Sequence, residues 1–142
     1  MTLIDQLRRD EGLRLTPYRD SVGKLTIGFG RNLDAKGISR GEAEVMLEHD
    51  AADAAAEVDG ALPWSGSLDD ARRAVLVNLC FNVGIGVAAS ATGLLGFKKM
   101  LAAIQTGDYD RAAAELMDSR YATQVGPRAY RLARQLQTGE WQ

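Results

Sequence analysis

The chain has 142 residues, 46% of them hydrophobic, which is enough to bury the core of one compact domain. Its 17 Lys and Arg against 19 Asp and Glu leave a formal charge of -2, so there is no global basic field of the kind that nucleic-acid binding draws on. Cys80 is the only cysteine, which excludes an intrachain disulfide and fits a reduced compartment; His49 is the only histidine, and no zinc-ligand spacing exists, so neither metal nor cofactor is expected.

Thr2 followed by Asp5 reads as a capping-box start to a helix carrying Leu3, Ile4 and Leu7, and Gly12 reads as its stop. Glu11 then sits at the negative end of the helix dipole, where an acidic side chain is disfavoured by roughly 0.3 to 1 kcal/mol, whereas Arg8 and Arg9 are well placed. A residue that breaks its local rule is a candidate for function, and the plain alternative is a solvated surface glutamate.

Beyond Gly12 the pattern changes to alternation. Leu25, Ile27 and Phe29 share one face of an extended segment, leaving Thr26, Gly28 and Gly30 on a nearly bare opposite face over which a polymer could lie. Asp20 falls in the connection Asp20-Ser21-Val22-Gly23-Lys24, which suits a hairpin turn, and an Asx-type turn carboxylate is its plain reading. Two carboxylates and a hydroxyl close together in sequence are the groups needed to cut a glycosidic bond with water.

Ser39 with Glu42 forms a capping box before a helix reaching about Asp59. Leu62-Pro63-Trp64-Ser65-Gly66 is a break, after which Ser67 can cap a helix burying Leu76, Leu79 and Cys80. Residues 74–97 contain no charge and are long enough to span a bilayer, but Asn78, Asn82 and four glycines suit a buried helix followed by a flexible loop. Short helices are expected over residues 98–106, 109–118 and 128–136. Residues 42–59 are densely acidic, and residues 120–142 carry Arg120, Arg128, Arg131 and Arg134 against Glu140, an asymmetry that suits an anionic surface or a solvated helix face. Residues 1–12 are too charged for a secretory signal.

The run EGLRLTPYRDSVGKLTIGFG at residues 11–30 resembles the signature of the bacteriophage-type lysozymes, or endolysins, of glycoside hydrolase family 24. The likeness continues through FNVG at residues 81–84, SRY at 119–121, PRA at 127–129 and TGEW at 138–141, in order and at similar spacing over nearly the whole chain. It implies a mostly helical α+β, two-lobed fold of one domain. A small β-hairpin lobe over about residues 12–59 would be joined by a long helix to a helical lobe over about residues 60–142, on which the N-terminal helix packs.

The resemblance also implies a muramidase that cleaves the β-1,4 bond between N-acetylmuramic acid and N-acetylglucosamine in peptidoglycan, with Glu11 as general acid and Asp20 and Thr26 completing the group. Asp20 would either hold a water with Thr26, giving inversion, or attack the sugar, giving retention; the hydroxyl favours inversion. Arg128 would contact Glu11 across the cleft, with Asn82 and Phe81 on its floor and Gly28, Gly30 and Asn32 in support. Arg31 departs from the histidine common at its position and reads as structural. Residues 85–96 depart in length and in their glycine and alanine content. A monomer acting in the periplasm after holin-dependent release from the host cytoplasm is implied, with no nucleic-acid partner. A lytic transglycosylase would need little from Asp20 and Thr26, and a catalytically silent wall-binding module would have lost the acid.

Overall fold

The computed structural model describes all 142 residues. It is α+β and mostly helical, as expected, with seven α-helices and a three-stranded antiparallel sheet of order β1-β2-β3. The chain divides into two compact units, Met1–Met46 and Leu47–Gln142, and the division falls within the long helix. No helix is long and apolar enough to cross a membrane.

In the first unit, helix α1 (Leu3–Glu11) opens on the expected capping box, with Asp5 N–H donating to Thr2 Oγ1 at 3.2 Å and Thr2 N–H to Asp5 Oδ2 at 2.9 Å. Gly12 ends it at φ 70°, donating its N–H to the Arg8 carbonyl. Strand β1 (Arg14–Arg19) contains Pro17, which lacks a donor; an edge strand tolerates this, and the β1–β2 register shifts between Arg14 and Tyr18. Strand β2 (Leu25–Gly28) is central, pairing Thr26 with Tyr18 on one side and with Asn32 of β3 (Arg31–Asn32) on the other.

Helix α2 (Arg40–Ala61) begins on the predicted box: Glu42 N–H donates to Ser39 Oγ and Ser39 N–H to Glu42 Oε2 at 2.7 Å. Its later residues Ala54 and Val58 belong to the core of the second unit. Trp64 lies in a single 3₁₀ turn, Pro63–Ser67, and Asp69, not Ser67, caps α3 (Asp70–Val83). The expected strip of Leu76, Leu79 and Cys80 is buried there. Burial raises the Cys80 thiol pKa, in keeping with a small core hydrophobe.

Residues 85–96 close on themselves. Leu94 and Leu95 donate to the carbonyls of Gly84 and Ile85, and a β-carbon on Gly86 would collide with the Thr92 carbonyl. Helices α4 (Lys98–Gln105), α5 (Tyr109–Met117) and α7 (Pro127–Thr138) follow the sequence expectation. Helix α6 (Arg120–Val125), capped by Ser119, is additional; at one and a half turns it was too short to show a period. Arg72 on α3 donates to the Leu136 and Gln137 carbonyls and lies 3.7 Å over the Tyr109 ring, terminating α7 and tying α3 to α5.

Candidate functional site

Glu11 is the last residue of α1, and its side chain lies against the backbone of Gly30. A β-carbon added to Gly30 would sit 2.6 Å from Glu11 Oε2 and 3.1 Å from Cδ, so the carboxyl group occupies the space that any larger residue would fill. Gly30 has φ 75°, a conformation glycine adopts without strain, which lets the chain turn from β2 into β3 beneath the carboxyl group. Glu11 is exposed, and no hydrogen bond within the first unit engages its carboxylate.

Asp20 is the Asx-turn residue anticipated from sequence. Its Oδ1 accepts the N–H of Val22 at 3.0 Å and of Lys24 at 2.8 Å, while its own N–H donates to the Lys24 carbonyl. Both protein hydrogen bonds fall on one oxygen, so Oδ2 is left to solvent or substrate. Thr26 Oγ1 donates to the same Lys24 carbonyl at 2.9 Å. The backbone of Lys24 thus joins the two side chains: its N–H holds the carboxylate and its carbonyl holds the hydroxyl.

Thr26 departs from the expectation of a bare, open face. It is 4% exposed, the only buried residue of the first unit, and lies on the central strand of the sheet. Its hydroxyl proton is committed to Lys24, which leaves the oxygen lone pairs as acceptors. The apolar parity holds for Ile27, but β2 ends at Gly28, so Phe29 lies beyond the strand and is 46% exposed.

A cavity of about 1120 Å³ lies within the first unit, where Ile4 and Leu7 of α1 face Ile27, Phe29, Val45 and Met46. Gly28, Gly30 and Asn32 line it, whereas Glu11, Asp20 and Thr26 do not. Its apolar walls suit packing of helix against hairpin, and Arg31, Asn32, Lys36 and Glu42 are the polar residues of its lining. Within that lining Arg31 forms a two-pronged ion pair with Glu42, at 2.6 and 2.9 Å, and donates to the Gly37 carbonyl at 3.1 Å. These bonds, with the Ser39 N–H, lower the Glu42 pKa to about 2, the hydrogen bond from Arg31 acting most strongly.

In the second unit, the Arg128 guanidinium on α7 is held by Asn78 of α3, donating to its Oδ1 at 2.7 and 3.1 Å. In the sequence Asn78 is a polar interruption of an apolar stretch, and no local pattern identifies it as the partner of a residue 50 positions away. Phe81 is 44% exposed and so is not core, and Asn82 beside it is also exposed, both near the C-terminal end of α3. Tyr121 stacks edge-on against Phe97, and its hydroxyl is buried without a hydrogen-bond partner. Burial raises its pKa, and the nearby charge of Arg128 opposes the shift.

Comparison with known proteins places these residues in a family context. The family model described as phage lysozyme matches residues 8–136, a span that contains Glu11, Asp20, Thr26 and Arg128. The chain is 28% identical, over 98% of its length, to the pre-baseplate central spike protein Gp5 of Enterobacteria phage T4, of which it spans only 28%. It is 29% identical over 97% of its length to probable T4-type lysozyme 2 of Dictyostelium discoideum, covering 95% of that protein. It is also 31% identical over 78% of its length to an endolysin of Acyrthosiphon pisum secondary endosymbiont phage 1, covering 72% of it.

Proposed function

Because the chain belongs to the phage lysozyme family, we propose that it is a lysozyme-like peptidoglycan hydrolase that cleaves the β-1,4 bond between N-acetylmuramic acid and N-acetylglucosamine with inversion. The match over residues 8–136 supports the hydrolase reading. The observation that carries the choice of inversion is the Lys24 backbone, which holds Asp20 and Thr26 as neighbours, each with acceptor capacity left on an oxygen.

In this mechanism Glu11 gives its proton to the glycosidic oxygen as that oxygen leaves the muramic anomeric carbon. Asp20 balances the oxocarbenium charge and takes a proton from a water whose second hydrogen is accepted by Thr26 Oγ1. The water oxygen bonds to the anomeric carbon from the face opposite the leaving group, and the products are a fragment with a new N-acetylmuramic acid reducing end in the α configuration and a fragment with a free 4-hydroxyl on N-acetylglucosamine. No metal or cofactor enters the scheme. Arg128, Asn82 and Phe81 serve as supporting residues, with Gly28, Gly30 and Asn32 shaping the first unit. Release by a holin to reach the periplasm, and action as a monomer, belong to the same reading by analogy with endolysins.

Mass spectrometry of digested peptidoglycan tests the reaction: reducing muramic ends support hydrolysis, anhydro ends point to a transglycosylase, and no cleavage points to a silent binding module. Proton NMR of the first-formed product tests stereochemistry, and retention of the β configuration would overturn the water-holding role of Asp20 and Thr26.

A further inference from the structure

The hydrolase reading leaves one feature of the first unit without a role. Glu11 gains its position from Gly30, but Gly30 has no side chain with which to hold itself in place. It lies in a tight turn between β2 and a two-residue strand, β3, whose ladder to β2 consists of the Thr26–Asn32 and Ile27–Arg31 pairs. A short ladder frays easily, since few backbone bonds oppose its opening. Arg31, the next residue in the chain, supplies the missing anchor: its guanidinium grips both oxygens of Glu42 and the Gly37 carbonyl.

Glu42 is itself immobilised, because its Oε2 also accepts the Ser39 N–H in the capping box of α2. The chain of contacts therefore runs from the first turn of α2, through Glu42 and Arg31, to the Gly30 backbone and the Glu11 carboxyl group. We propose that Arg31 and Glu42 form a positioning clamp that sets the orientation of the acid Glu11 by fixing the peptide of Gly30. The clamp rests on the assignment of Glu11 as the acid. Neither residue touches substrate; they act through the backbone between β2 and β3.

The clamp makes the planar fork of arginine necessary, since two oxygens and a carbonyl are held at once and a lysine ammonium does not match that geometry. A misplaced acid lowers turnover more than affinity, because the leaving oxygen must lie within hydrogen-bond reach of the proton. Kinetics on purified peptidoglycan are compared for Arg31→Ala, Arg31→Lys and Glu42→Gln, with Arg73→Ala as control. Arg73 forms an ion pair of similar length with Asp59, at 2.7 Å, in the second unit. The clamp predicts that kcat falls by about tenfold or more with KM within about twofold for Arg31→Ala and Glu42→Gln, and that Arg31→Lys is intermediate. Arg73→Ala should lower Tm and leave kcat near the parent value.

In parallel, the Gly30 amide and Glu11 side-chain carboxyl carbon resonances should shift in Arg31→Lys and Glu42→Gln but not in Arg73→Ala. If Arg31→Ala fails to fold, the two milder variants carry the test. Parent-like kcat and unmoved resonances in both would overturn the clamp. A parent protein that leaves peptidoglycan intact while the resonances respond would instead remove the hydrolase reading, and with it the acid role of Glu11, and keep only the coupling of Arg31 and Glu42 to the Glu11 carboxyl group.

Discussion

The carboxyl group of Glu11 rests on the α-carbon of Gly30, close enough that a single added methyl would lie 2.6 Å from Oε2. Gly30→Ala should therefore displace the acid and strain a backbone at φ 75°. The expected outcome is an activity loss of about tenfold or more and a stability loss of about 1 kcal/mol or more. Gly107 separates the two effects, because its φ is 77° and nothing lies within 4 Å of an added β-carbon. Gly107→Ala should lower Tm with activity retained. Equal kinetic losses in both variants would show that strain alone explains the Gly30 effect.

Asp20 combines a turn role with a chemical one, and two substitutions divide them. Asp20→Asn keeps an oxygen to accept from Val22 and Lys24, so the turn and most of the stability should survive while hydrolysis is lost. Asp20→Ala should lose activity and also about 1 kcal/mol of stability as the two turn hydrogen bonds go. Thermal denaturation beside a turbidity assay separates the two, and an active Asn variant would argue for a structural role alone.

At Thr26 the buried hydroxyl matters in both states. Thr26→Val preserves shape but leaves the Lys24 carbonyl without this donor, which should cost about 1 kcal/mol, with loss of hydrolysis if the oxygen also holds water. Thr26→Ser keeps the hydroxyl and should retain most activity. A fully active Val variant would remove Thr26 from the mechanism.

The Arg31–Glu42 pair confers an acid-side pH dependence. Glu42 has a folded pKa of about 2 against an ordinary value of 4.5, so its stabilisation is fully present above pH 4.5. It is lost as pH falls from there through about 2, because the unfolded chain takes up the proton first. Tm should fall across that window in the parent and fall less steeply in Glu42→Gln. Parallel Tm curves for the two proteins would contradict the assignment. Both partners are partly solvent-exposed, so added salt should shrink the difference between them.

Much of the fold is legible in the chain because the signals that define it are local. The Thr2–Asp5 and Ser39–Glu42 boxes announce two helix starts, Gly12 announces a stop, and the Asp20 turn announces a hairpin. Each depends on residues within a few positions of one another, where side chains reach backbone groups directly. Strand parity is less informative: it groups Thr26 with two glycines on a face expected to be open, whereas Thr26 on the central strand is buried. Helix α6 is not legible in the sequence because six residues give too little periodicity to read.

The sequence alone determined the residue types of the candidate site, the order of the elements around it and the family likeness, since these follow from composition, period and motif spacing. Tertiary structure decided the pairings. Glu11 against Gly30, Arg31 with Glu42 and Arg128 with Asn78 join residues that no helical or strand repeat relates. Such contacts depend on how whole elements pack: many charged side chains could serve as partners, and only the folded backbone selects which one lies within hydrogen-bond reach.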